Sequence, residues 1–307
     1  MINPAIRSRR LRHTALALAA TVAVAGGLAA CGTDAAAKAH PAATSSRAAT
    51  TAAVPSPGLH MITANGHKLA FYVTPGHLPA IVLDAGGGLD ASYWKKIVPT
   101  LAKKTGSEIV TYDRSGEGKS PYVPGPWRAQ NAASDLAAGL TQLNATKNVI
   151  LVSHSLAGEI ATYYVRDHAH SVAGAVLVDA SLPQFFTKSE TEKFAAVNQQ
   201  RIDALKGKPL TPATRQLLAL ADHYGPVHLA YHKLSWPTNV PATAIVSSQT
   251  PFPTPVDAQL WRQAQQEFVN AAPNRRLAMA DHSSHDIPID RPDVVIKATQ
   301  DMVNQVH

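Results

Sequence analysis

The chain has 307 residues, 28 basic and 21 acidic, for a formal charge of +7, and 45% of its residues are hydrophobic. A single cysteine excludes a disulfide within one molecule. No Lys/Arg block stands in the body of the chain, which excludes a nucleic-acid interface built on a basic patch.

Residues 1–30 read as an export signal. Arg7, Arg9, Arg10 and Arg12 make a basic start, and the apolar run from Ala15 to Ala30 ends in small residues. That run is too rich in Ala and Gly for a spanning helix, which takes about 20 strongly apolar residues. Leu28-Ala29-Ala30-Cys31 resembles a bacterial lipobox, in which the cysteine becomes the first mature residue and carries a diacylglyceryl thioether. The resemblance implies a lipid anchor on Cys31 that holds the protein at the outer face of the cytoplasmic membrane, since two or three acyl chains tether stably where one does not. Ser8-Arg9-Arg10 resembles part of a twin-arginine export signal. Removing the four arginines leaves 24 basic residues against 21 acidic, a balance of +3. Residues 31–58 are Ala, Thr, Ser and Pro without apolar periodicity and are expected to form a disordered tether. Residues 59–307 are expected to form one folded domain.

Along that domain, His60 to Ala64 and His67 to Thr74 are short apolar runs parted by Asn65-Gly66, a hairpin signal. Ala80 to Leu83 reads as a buried strand running into Gly86-Gly87-Gly88. Ser92 to Lys104 reads as a helix, Glu108 to Tyr112 as a strand, Arg128 to Leu143 as a helix and Asn148 to Val152 as a strand. Leu156 to Asp167 is helical and Val172 to Val178 a strand. The alternation then breaks over 181–239, where helical signals appear around Glu190 to Leu205 and Ala213 to His223. It resumes with a strand at Ala242 to Ser247, a helix at Asp257 to Ala271, a strand at Arg276 to Ala280 and a closing helix at Pro292 to Val306. Such alternation builds a doubly wound, mostly parallel sheet covered on both faces, here with a helical cap inserted after the sixth strand.

The stretch Val149 to Gly158 (VILVSHSLAG) places Ser155 between a strand and a helix, in a turn that lifts its hydroxyl above the strand ends and aims free backbone N–H groups at it. It resembles the nucleophile elbow of α/β-hydrolases, with Ser153 and Ala157 where glycines usually stand. Three further segments resemble the same superfamily. Ile81 to Trp94 (IVLDAGGGLDASYW) is similar to its oxyanion loop, with Asp84-Ala85 in place of His-Gly. Tyr112 to Ser120 (YDRSGEGKS) is similar to its Gly-rich segment after the fourth strand. His285 to Pro292 (HDIPIDRP) is similar to its histidine loop.

The resemblance implies an eight-stranded sheet and a serine esterase, lipase or peptidase-like activity. Ser155 is then the nucleophile, His285 the base, and the N–H groups of Gly86 and Leu156 the oxyanion donors. The acid is expected at Asp179, which ends the sixth strand, with Asp257 as the alternative. His282 is the local rival of His285, and a His282/His285 metal pair lacks an obvious third ligand. Asp113 and Arg114 are assigned to scaffolding and Asp281 to structure. Phe185, Phe186, Tyr224, Tyr231 and Trp236 are candidates to line an acyl pocket or to form the cap's own core. The expected partner is a small acyl substrate, with no cofactor. A binding lipoprotein without turnover and an envelope acyltransferase are the alternatives.

Overall fold

The computed structural model describes residues 56–306 with the exception of residue 211. The export signal, Cys31 and most of the tether lie outside the described residues. The hairpin pairs β1 (Gly58–Ala64) with β2 (His67–Thr74) through a turn in which Asn65 and Gly66 both take positive φ, 48° and 84°. These are the two left-handed positions of the turn that matches strand twist. Then follow β3 (His77–Asp84), β4 (Ser107–Asp113), β5 (Val149–His154), β6 (Val172–Val178), β7 (Ala242–Ser247) and β8 (Arg275–Ala280). The eight strands lie in the order β1-β2-β4-β3-β5-β6-β7-β8, antiparallel from β1 to β4 and parallel from β4 to β8.

The central strands are apolar on both faces because both are covered. In β3, Ala80 and Val82 face one layer while Ile81 and Leu83 face the other. The first layer holds α2 (Ala129–Gln142) and α3 (Ala157–His168), and the second holds α1 (Val98–Thr105) and α9 (Pro292–Val306). Between β6 and β7 the chain leaves the sheet for α4 (Lys188–Leu205), α5 (Pro212–Ala221) and α6 (Tyr224–Tyr231). The remaining helices are α7 (Pro255–Asn270) and the short α8 (Ile287–Asp290).

Two elements differ from the sequence reading. The helix expected over Ser92 to Lys104 is a 3₁₀ turn at Ala91–Trp94 followed by α1. Pro99 lacks an N–H and crowds the residue before it, so a helix can begin around it but not run through it. In the insertion, α6 is a helix that the sequence reading, which stops at His223, does not expect; Gly225 and Pro226 sit in its first turn, where a missing N–H costs nothing.

Candidate active site

Ser155 stands at the end of β5 with φ of 53°, a left-handed conformation uncommon for a side chain larger than hydrogen. Neighbouring strands hold it there: Ser155 N–H donates to Val178 O at 3.1 Å, and Ser181 N–H donates to Ser155 O at 2.9 Å. Asp179 follows β6 with φ of 43° and gives its own N–H to Ile245 O at 2.7 Å. His285 lies in the loop between β8 and α8. These three residues, widely separated in the chain, form one hydrogen-bonded line. His285 Nδ1 is 2.7 Å from Asp179 Oδ2, and His285 Nε2 is 2.8 Å from Ser155 Oγ. With Nδ1–H donating to the carboxylate, Nε2 presents its lone pair to the serine hydroxyl.

The carboxylate is fully buried and saturated. Ser247 Oγ donates to Asp179 Oδ2 at 2.6 Å, and Trp261 Nε1 donates to Oδ1 at 2.8 Å. Asp257 sits elsewhere. It begins α7, where it bonds Thr254 and the ammonium of Lys193, and it makes no bond to His285. His282 occupies an exposed turn at φ 59°. His154 was not singled out in the sequence. Its Nε2–H donates to the His285 carbonyl at 2.9 Å, and its ring packs between Tyr93 and His285. Burial, and after it the neighbouring His285 charge, drive its pKa well below the ordinary imidazole range, so it stays neutral.

The glycine loop approaches Ser155 closely. A Cβ on Gly86 would come within 2.8 Å of His154 Nδ1 and 3.3 Å of Ser155 Cβ, so only glycine fits there. Gly88 gives its N–H to Glu117 Oε1 at 2.9 Å, which leaves Gly86 and Gly87 as the loop's candidate donors beside Leu156. The loop hangs on Arg114, whose side chain is 3% exposed. Its guanidinium donates to the carbonyls of Ala85 and Gly86 and pairs with Asp84 and Glu117. Tyr112 closes the Asp84 carboxylate at 2.8 Å. Burial pushes Glu117 up to about 7 against the pull of Arg114. Asp113 holds the neighbouring turns through Tyr72 Oη and the N–H groups of Ala91 and Lys119.

A cleft opens above Ser155 between the sheet and the cap. Phe185, Phe186, Phe194, Phe252 and Trp261 make its aromatic side, and Glu159, His228 and Arg128 stand on its polar side. Of the aromatics expected from sequence, Phe185, Phe186 and Tyr224 line the cleft, whereas Tyr231 and Trp236 do not. Tyr231 is buried with its hydroxyl on Ser181 O at 2.9 Å, and Trp236 packs on Phe268 in the main core. Phe194, Phe252 and Trp261 were missed; two of them lie outside the insertion, where no motif marks them.

Comparison with known proteins agrees with this fold. The model of the Alpha/beta hydrolase family matches residues 81–298. The uncharacterized protein YqjL of Bacillus subtilis (strain 168) is 25% identical over 231 residues, covering 72% of this chain and 82% of its own. Among solved structures, a thermophilic esterase from Thermogutta terrifontis superposes with a TM-score of 0.57 at 20% identity, over 81% of this chain and 99% of that one. The enol-lactonase from Burkholderia xenovorans LB400 superposes with a TM-score of 0.54 at 20% identity, over 80% of this chain and all of its own. Likenesses at that identity speak to the fold and leave the reaction to the residues.

Proposed function

The chain belongs to the alpha/beta hydrolase family, and from that premise we propose that it is a serine hydrolase cleaving a carboxylic ester through an acyl-enzyme on Ser155. The observation that carries this reading is the unbroken line from Ser155 Oγ through the His285 ring to the Asp179 carboxylate, at 2.8 and 2.7 Å. His285 takes the serine proton as Oγ attacks the carbonyl carbon, and Asp179 stabilises the imidazolium that forms. The N–H groups of Leu156 and of Gly86 hold the oxyanion. Collapse breaks the bond to the alcohol, which leaves with the proton from His285. Water then gives a proton to His285 and attacks the acyl group, and the proton returns to Ser155 as the acid departs. A serine oxygen, in place of an aspartate, makes the intermediate an acyl ester and argues against an alkyl-enzyme route.

A fluorophosphonate probe should label the wild-type protein and not Ser155→Ala, and that variant should lose about 10⁴- to 10⁶-fold in kcat on p-nitrophenyl butyrate. A folded wild-type protein that never labels would count heavily against the mechanism. We propose further that the chain is exported and lipid-anchored at Cys31, on the support of Leu28-Ala29-Ala30-Cys31 in the sequence. Metabolic labelling with an alkyne fatty acid should mark the wild type and spare Cys31→Ser; an unmarked wild type would remove the anchor.

A further inference from the structure

A buried carboxylate needs donors around it, because desolvation of the charge is costly unless it is paired and hydrogen-bonded. Three buried aspartates of the sheet rim meet that demand. Asp84 accepts from Tyr112 and Arg114, Asp113 from Tyr72, Ala91 and Lys119, and Asp179 from Ser247, Trp261 and His285. Glu159 does not. It is 2% exposed, yet its single side-chain partner among the described residues is His228, whose Nε2 lies 3.4 Å from Oε1. No donor among the described residues reaches its other oxygen.

His228 has nothing further to offer. Its Nδ1–H donates to the Tyr224 carbonyl at 2.8 Å, so Nε2 must also carry a proton to face a carboxylate. The resulting imidazolium sits between the rings of Tyr224 and Phe186, with centroids at 3.8 and 4.5 Å. The pair is balanced in charge and short of one donor. Glu159 stands in the first turn of α3, four residues beyond Ser155, and lines the same aromatic cleft. Ser155 precedes that helix and lines the cleft as well, so a substrate whose carbonyl is held at Ser155 extends along the same walls that present the vacant acceptor.

We propose that Glu159 is a specificity-determining residue that accepts a hydrogen bond from a hydroxyl group of the substrate, so that the preferred ester carries a hydroxyl a few bonds from its scissile carbonyl. This rests on the serine-hydrolase reading. The donor is neutral because His228 already offsets the carboxylate, and an ammonium would set a second cation beside the imidazolium. Once a substrate fills the cleft, an ester lacking the hydroxyl leaves this oxygen unpaired and cut off from water, which discriminates far more sharply than a missing methylene does.

Matched pairs of esters test it. p-Nitrophenyl butyrate against p-nitrophenyl 3-hydroxybutyrate places the hydroxyl on the acyl side. Propyl butyrate against 2-hydroxyethyl butyrate, followed by acid release, places it on the alcohol side. In one pair kcat/KM should favour the hydroxyl member by about 10- to 100-fold. Glu159→Gln, which keeps an uncharged acceptor, should reduce the ratio. The double variant Glu159→Leu/His228→Leu should bring it to about one while still folding, since apolar packing commonly replaces a buried ion pair without loss of stability. A wild-type ratio near one in both pairs, a ratio untouched in the double variant, or a stronger preference for the 3-amino ester would each overturn the proposal. Labelling of Ser155 with flat ratios removes this inference alone; no labelling and no turnover removes the hydrolase reading and this inference with it.

Discussion

The rim of the sheet and the cap above it are built on opposite plans. At the rim, charged groups are densely bonded: Asp179 accepts three side-chain donors, and Arg114 gives its two terminal nitrogens to three carbonyls and two carboxylates. In the cap, rings pack on rings. Phe185 alone meets Phe186, Phe194, Phe252 and Trp261, with polar ties such as Lys193 to Asp257 and His228 to Glu159 between them. A directional hydrogen-bond network holds atoms to the tolerance that bond-making needs. Aromatic contacts are less directional and accept a range of shapes. On the proposed function, the rim is the part suited to carry the reaction and the cap the part suited to choose the substrate.

The sharpest way to break that contrast is to exchange the carboxylate at the rim and the one by which α7 ties to the cap. Asp179→Asn keeps the shape but turns an amide N–H toward His285 Nδ1, which forces the opposite tautomer and denies Ser155 its base. A fall of about 10⁴-fold in kcat is expected, with KM little changed. Asp257→Asn weakens the tie to Lys193, whose side chain is 44% exposed, and should leave kcat within about threefold while lowering the melting temperature by a few degrees at most. Steady-state rates on p-nitrophenyl butyrate with thermal melts of both variants decide it. Equal, mild losses of rate would mean that the acid has been misassigned.

The rim was far more legible in the sequence than the cap, for a physical reason. Strands buried on both faces write themselves as runs such as Val149 to Val152, and the turn carrying Ser155 needs small neighbours at fixed spacing. Those demands are local. Even at the rim the legibility stops at Asp179: nothing near it in sequence announces Ser247 or Trp261, which arrive from 68 and 82 residues away by sheet pairing and helix packing. In the cap, Trp236 and Phe194 look alike as isolated aromatics, and only tertiary packing sends one to the core and the other to the cleft. Glu159 reads as an ordinary helical glutamate until its surroundings are known.

A second, smaller effect sharpens the account of the rim. Arg114 donates to the carbonyls of Ala85 and Gly86, the far ends of the two peptide units whose N–H groups belong to Gly86 and Gly87. It thereby fixes the loop and polarises those donors. Loss of one oxyanion donor outright costs about 10²–10³ in rate. A loop left in place but loosened should lose less, so Arg114→Gln should lower kcat by about 10- to 100-fold with KM steady. Arg114→Lys should recover little, because an ammonium cannot reproduce the planar fork. Affinity for a boronic acid that mimics the tetrahedral adduct should fall in step with kcat. A fall confined to stability, with kcat intact in the folded fraction, would reduce Arg114 to scaffold.

The smallest effect separates the regions by pH. Burial pulls the His228 pKa down, but the Glu159 carboxylate and the Tyr224 carbonyl raise it further, and the net shift is upward. A histidine raised above its unfolded value of about 6.5 stabilises the fold fully below that pH, and the contribution fades as pH rises through the folded value. The melting temperature should thus fall between about pH 6.5 and the alkaline side of the folded pKa, by about 2–4 °C per kcal/mol lost. His154 at the rim, kept neutral by burial, adds no such slope over that window. His228→Gln should flatten the profile in differential scanning calorimetry, with Glu159→Gln doing the same from the other side of the contact. If His228→Gln melts with the wild-type slope, the cap is not held by this pair, and its rings alone keep it closed over Ser155.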